Sequence, residues 1–268
     1  MPARKTAAPL PQVSVESAAV FRKKLHGWFR EHSRDLPWRN TRDPYRILIS
    51  ELMLQQTQVS RVLDFYRRFL ERFPDLPSLA TAKPQRVLEA WEGLGYYARA
   101  RNLHKLAKHV AETRDGVIPS DPGELRALPG VGAYTAGAVA SFAYEKRAAL
   151  VDTNVARVLH RVFAPELDPK SGPGLKRLWH IAEQLLPRTG KLTWTHNQAL
   201  MELGALVCSA RAPKCGMCPV QKGCASRDRY TREASSREAA SRETAPRTKA
   251  LRETAPRARR ARRTATTS

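Results

Sequence analysis

Apolar residues return at three- and four-residue steps through most of this chain. In FRKKLHGWFREH, Phe21, Leu25, Trp28 and Phe29 fall on one stripe. PYRILISELMLQQ, RVLDFYRRFLERF, RARNLHKLAKHVAE, NVARVLHRVF and LKRLWHIAEQLL repeat the pattern. This is the helical period, with one face turned to a core and one to water. No run alternates apolar and polar residues as a half-buried strand would, so no sheet is expected. RFPDLPS, IPSDPGE, LPGVG and LDPKSGPG read as breakers between helices. The pattern predicts an all-α body over residues 15–224, in two helical halves with a waist between them.

The pattern stops after Cys224. Residues 225–268 hold few large apolar side chains and repeat SRE and RETAPR. Such a segment cannot bury enough apolar surface to offset its ordering entropy, so a basic disordered tail is expected. MPARKTAAPLPQ has basic residues without an apolar core behind them, and residues 1–14 read as a frayed arm, not a signal peptide. No apolar run is long enough to span a bilayer, so a cytoplasmic protein is expected, with no membrane partner.

Charge sharpens the picture. The 268 residues carry a net +22. The tail, with thirteen Lys/Arg against five Asp/Glu, supplies eight of those charges, leaving fourteen on residues 1–224. A body this basic favours a polyanionic partner, nucleic acid before an anionic membrane surface. The tail reads equally as a DNA tether or a solubilising segment.

Candidate chemistry sits in four places. LPGVG, between DPGELRAL and YTAGAVASFA, holds Gly130, Val131 and Gly132 at the mouth of a helix. Glycine there permits special backbone angles and close approach, and free amides at a helix start attract a phosphate. An ordinary packing corner would look the same. Glu51 lies in ILISELMLQ, an acid within a strongly apolar helix; burial would raise its pKa and let it hold a proton. A solvent-facing glutamate is the alternative. Asp152, in LVDTNV, stands at a helix start and reads as a second carboxylate or as an N-cap. The four cysteines follow Cys208-x6-Cys215-x2-Cys218-x5-Cys224. So tight a group in a cytosolic chain argues for metal over disulfides, and its chemistry admits zinc or an iron–sulfur cluster. Seven scattered histidines, none in HExxH spacing, suggest no second metal site.

LPGVGAYTAGAVASFA resembles the helix–hairpin–helix of the endonuclease III superfamily of DNA glycosylases, here about residues 123–143. With LPWRNTRDPYRILISELMLQQTQVSRV, GLGYYARARNLHKLA, VDTNVARVLHR, HNQALMELGALVC and the cysteines in that order, residues 25–224 look like the catalytic part of a MutY-type adenine DNA glycosylase. The resemblance implies a two-lobed helical fold and a 4Fe-4S cluster on Cys208, Cys215, Cys218 and Cys224, in a loop over 208–224. It implies Glu51 as the acid that protonates adenine and Asp152 as the group that stabilises the oxocarbenium-like sugar and positions water. Asn154 would hold Asp152, although Thr153 stands where the family often has Gly. Tyr134 occupies the place of the lyase members' lysine. A phenol cannot form a Schiff base, so the implied enzyme is monofunctional. Trp38, Arg39, Leu54 and Gln198 would line the adenine site, and Gln56 and Tyr96 would wedge into the stack once the base is flipped out. The implied partner is duplex DNA with a mismatched or oxidised pair, bound by a monomer. Family members usually carry a C-terminal domain, related to Nudix folds, that recognises 8-oxoguanine; a low-complexity tail stands there in this sequence, so opposite-base preference is open. Two other readings share parts of the pattern: a T/G mismatch glycosylase, and a non-catalytic iron–sulfur DNA-binding protein.

Overall fold

The computed structural model describes residues 12–233 and 236 of the chain. Its helices run α1 (Val15–His32), α2 (Pro44–Leu54), α3 (Val59–Arg72), α4 (Leu76–Thr81), α5 (Pro84–Trp91), α6 (Ala98–Thr113), α7 (Pro122–Arg126), α8 (Ala133–Tyr144), α9 (Thr153–Phe163), α10 (Gly172–Leu185) and α11 (Gly190–Leu206). Single 3-10 turns lie at Pro37–Arg39, Cys215–Met217 and Gln221–Gly223. No strand occurs among the described residues, as the periodicity predicts.

The middle of the chain, α2 to α8, packs as one group, and α1 returns to join α9, α10 and α11 in the other. α2 and α8 are buried on almost every side, which is why their sequences are apolar nearly all round. Asp43 caps α2 by accepting from the Tyr45 and Arg46 amides, and Pro44 starts it. The two groups meet along α8 and α11, and the waist opens beside them.

Three helices escape the sequence reading. RFPDLPS breaks the chain after α3 and also starts α4: Asp75 and Ser78 form a reciprocal capping box and Pro77 sits in the first turn of α4. α5 has no side-chain cap but also carries a proline, Pro84, in its first turn. α11 is masked by polar residues that turn out to be buried: Thr193, His196, Asn197, Gln198 and Glu202 are all within the core or the waist.

The ends also differ from expectation. Of the expected arm, Gln12–Ser14 are tied down: the Val13 amide donates to Gln184 Oε1 (2.7 Å), and Ser14 caps α1. Residues 1–11 lie outside the described part. Of the expected tail, 225–233 are ordered and 227–233 helical. The Ala225 and Ser226 amides donate to the Val162 and Arg161 carbonyls, and the Arg161 guanidinium lies 4.2 Å from the Tyr230 ring centre. Backbone bonds and a cation–π contact supply what the composition lacks. The body ends at Tyr230, and Thr231 opens a separate unit; the remaining tail, Ser236 apart, lies outside the described residues.

α8 carries a test of this packing. A Cβ on Gly137 would overlap the Ala149 carbonyl oxygen, where the chain runs back across the helix. Alanine is the better helix former by about 1 kcal/mol, yet backbone overlap costs more. Gly137→Ala is expected to lower stability by about 3 kcal/mol, read as a lower midpoint in urea unfolding at unchanged slope.

Candidate active site

A cleft of about 1010 Å³ opens at the waist. Its walls come from the Pro37–Arg39 turn, the end of α2 and the loop after it, the glycine hairpin, the start of α9, and α11. Of the residues singled out from the sequence, Trp38, Arg39, Glu51, Leu54, Gln56, Gly130, Gly132, Tyr134, Asp152, Asn154 and Gln198 all line it. Two do not. Val131 is buried beneath the hairpin, and Tyr96 stands outside, 60% exposed.

Glu51 is 3% exposed, one turn before the end of α2. Burial drives its pKa up to about 7, and the charge of Asp152 pushes the same way. The Tyr134 hydroxyl, 83 positions away, donates to Glu51 Oε2 at 2.7 Å and works against that rise, as does Arg39. The tyrosine thus occupies one carboxylate oxygen and leaves the other for the cleft. Burial also holds the Tyr134 phenol well above its usual pKa, so it stays a donor.

Asp152 is an N-cap, and it also lines the cleft. Its Oδ1 accepts from the Val155 amide (2.7 Å), capping α9, and its Oδ2 accepts from Asn154 Nδ2 (2.9 Å). Burial raises its pKa, opposed by those bonds and by the charge of Arg157. Thr153 does not disturb this: Asp152 keeps an ordinary extended conformation, and α9 starts directly after it. The two carboxylates therefore stand on different helices and face one cleft.

Beside them lies a network that the sequence reading missed. Glu202, fully buried on α11, accepts from Arg34 Nη2 (2.7 Å) and Arg39 Nη2 (2.8 Å). Burial opposes its charge, but the two guanidinium groups hold its pKa down to about 2. Arg39 Nε also donates to Gln198 Oε1 (2.9 Å), so the Gln198 carbonyl is occupied and its amide NH2 remains for a ligand. Trp38, edge-on to Tyr66, is the flat apolar wall nearby. The signal for Glu202 was present in the sequence as an acid between Met201 and Leu203, the same cue that pointed to Glu51.

The hairpin is shaped for close approach. Gly130 has φ +76°, and a Cβ there would come 2.6 Å from Asn102 Cβ. Gly132 starts α8 with no side-chain cap, so the first amides of that helix are left for an anion.

All four cysteines line a second cavity, closed by Val158, Val162, Leu203, Val220 and Tyr230. Among the described residues no three His, Cys, Asp or Glu side chains are drawn together around a single ion. Four thiols around one apolar cavity are the residues that could hold a metal centre. Arg161 Nη1 approaches Cys208 Sγ (3.4 Å). Arg157 joins this loop to the cleft: its Nε donates to the Cys208 carbonyl (2.7 Å) and its Nη2 to Asn154 Oδ1 (2.8 Å).

A family described as HhH-GPD superfamily base excision DNA repair protein matches residues 49–184. The chain is 44% identical over 229 residues to the adenine DNA glycosylase of Mus musculus, covering 81% of this chain and 44% of that one. It is 43% identical over 213 residues to the adenine DNA glycosylase of Mycobacterium tuberculosis, covering 79% of this chain and 69% of that one. The chain thus spans less than half the length of its mammalian relatives. Among solved structures, a thermostable thymine-DNA glycosylase superposes with a TM-score of 0.73 at 32% identity, over 80% of this chain and 98% of that one.

Proposed function

The chain belongs to the HhH-GPD superfamily of base excision DNA repair proteins, and from that footing we propose that it is a monofunctional DNA glycosylase that removes adenine mispaired with 8-oxoguanine or guanine. The observation that carries this is the pair of acids: Glu51 and Asp152, 101 positions apart in the sequence, line one cleft with Trp38, Arg39 and Gln198. In the reaction, protonated Glu51 gives its proton to the adenine ring, and the C1′–N bond breaks with its electron pair leaving on the base. The Asp152 carboxylate balances the positive sugar. Water adds to C1′, and the Glu51 carboxylate takes up the proton that the water releases. Free adenine and an abasic site result. Tyr134 supplies no amine, so the strand stays intact. The amides of the Gly130–Gly132 hairpin hold a backbone phosphate, which positions the duplex without reading its sequence. Cys208, Cys215, Cys218 and Cys224 would hold a 4Fe-4S cluster. With the cluster bound, this basic loop, with Lys214 and Lys222, would be held against DNA. No helix among the described residues is long and apolar enough to cross a membrane; action as a monomer in the cytoplasm, on the nucleoid in a bacterium, fits this reading.

The test is base release from duplexes pairing A with 8-oxoguanine, A with G, T with G, and A with T. Adenine should be freed from the first two and little from the last, with no nicking before alkali. Release of thymine in place of adenine would select the second reading, which the thymine-DNA glycosylase fold match favours. No release from any duplex would leave the non-catalytic reading.

The acid's pKa sets a pH profile. Glu51 works protonated, so the rate should fall as pH rises through about 7. Asp152 works ionised, so the rate should also fall in acid. A bell-shaped single-turnover profile is expected. A rate that is flat from pH 6 to 9 would remove Glu51 from the acid's role.

A further inference from the structure

Among the described residues, four that are not glycine have left-handed backbone: Gln56 (φ +56°), Tyr96 (φ +51°), Asp115 and Glu145. The first two stand on different loops, one ending α2 and one preceding α6, and both side chains are exposed. Such angles are disfavoured for a residue with a Cβ and persist only where the surroundings impose them. One side chain reaches both loops. Arg99, 8% exposed at the start of α6, sends Nη1 to the carbonyls of Leu52 (2.9 Å), Met53 (2.8 Å) and Gln55 (2.6 Å). Its Nη2 donates to Thr57 Oγ1 (3.2 Å) and to the Gly95 carbonyl (3.1 Å). These partners flank Gln56 on both sides and immediately precede Tyr96. The guanidinium also lies 5.3 Å from the Tyr96 ring centre and 5.5 Å from that of Trp91, whose Nε1 donates to the same Gly95 carbonyl. Among the described residues no carboxylate pairs with Arg99; its charge is met by the carbonyl end of α2.

We infer that Arg99 is a positioning residue that locks Gln56 and Tyr96 together as a two-part wedge at the mouth of the cleft, and so governs extrusion of the base, not cleavage of its bond. The inference rests on the glycosylase reading. Extrusion and cleavage are separate steps, and Arg99 touches only the first: none of its bonds reaches Glu51, Tyr134 or Asp152. A planar fork with five donors is needed to hold carbonyls on two loops; lysine, a single point charge, cannot span them.

The experiment uses the full chain and a duplex with 2-aminopurine beside the target adenine, whose fluorescence rises when its neighbour leaves the stack. The wild type should show the rise and release adenine. Arg99→Met should bind the duplex within about two-fold, because phosphate contacts dominate affinity, yet lose most of the fluorescence rise and slow adenine release at least ten-fold. Arg99→Lys should recover less than half of either signal. Glu51→Gln should do the reverse, keeping the rise and losing release. The inference is overturned if Arg99→Met unstacks the base like the wild type. It is equally overturned if Arg99→Met and Arg99→Lys both unfold, for Arg99 then serves the fold alone. A wild type that neither unstacks nor releases adenine would instead overturn the glycosylase reading.

Discussion

Replacing Glu51 by Gln is expected to slow single-turnover release of adenine by about 10³-fold while leaving the fold and DNA binding unchanged. General acid catalysis contributes about 10²–10⁴ in rate, and here no other buried acid stands ready to substitute. Both Asp152 oxygens are already engaged, by the Val155 amide and the Asn154 side chain, and these bonds oppose the rise that burial gives its pKa. Glu202 is bound by two arginines with its pKa near 2, so it has no proton to give. Glutamine is close to the size of the protonated acid and its carbonyl can still accept from Tyr134, so the packing of α2 survives. What it lacks is a proton that can leave. The measurements are base release under enzyme excess, with thermal unfolding and duplex binding as controls. Wild-type rates in Glu51→Gln would remove the mechanism. Loss of rate with a collapsed melting temperature would show only that position 51 is structural.

Asp152→Asn separates two jobs held by one side chain. As a cap, Asp152 accepts from the Val155 amide at 2.7 Å, and asparagine caps about as well as aspartate. As a charge facing the sugar, it has no neutral equivalent. Loss of a preorganised electrostatic partner of the reacting centre costs about 10²–10³ in rate, so Asp152→Asn should be at least that slow while melting within about 0.5 kcal/mol of the wild type. Asp152→Ala should lose the same rate and, in addition, about 1 kcal/mol of stability with the cap. If Asp152→Asn and Asp152→Ala were both fully active, the acid would be only a cap. Equal destabilisation by the two would mean that the cap depends on charge.

Much of the site was legible from single residues in odd company. An acid within ILISELMLQ and a glycine pair before YTAGAVASFA are local irregularities, and both mark the cleft. Asp152 was ambiguous because a cap and a catalytic carboxylate leave the same trace in a sequence. Glu202 carried the same cue as Glu51 and went unread. Arg99 gave no cue at all: within ARARNLHKLAKHV an arginine reads as one more basic residue on a helix face.

The sequence alone determined the helical class, through apolar spacing that any one helix displays by itself, and the place of the cysteine group, through distances along the chain. It also favoured a polyanionic partner, since fourteen excess charges lie on the body. Only the tertiary structure decided which charges are inside. The pKa of Glu51 comes from burial beneath helices distant in sequence and from a hydroxyl 83 positions away. The charge of Glu202 survives through arginines 163 and 168 positions away, and Arg99 holds carbonyls 44 to 47 positions away. Helix spacing reports what neighbours along the chain do to one another. Dielectric, proton affinity and the lock on a strained loop are set by neighbours in space.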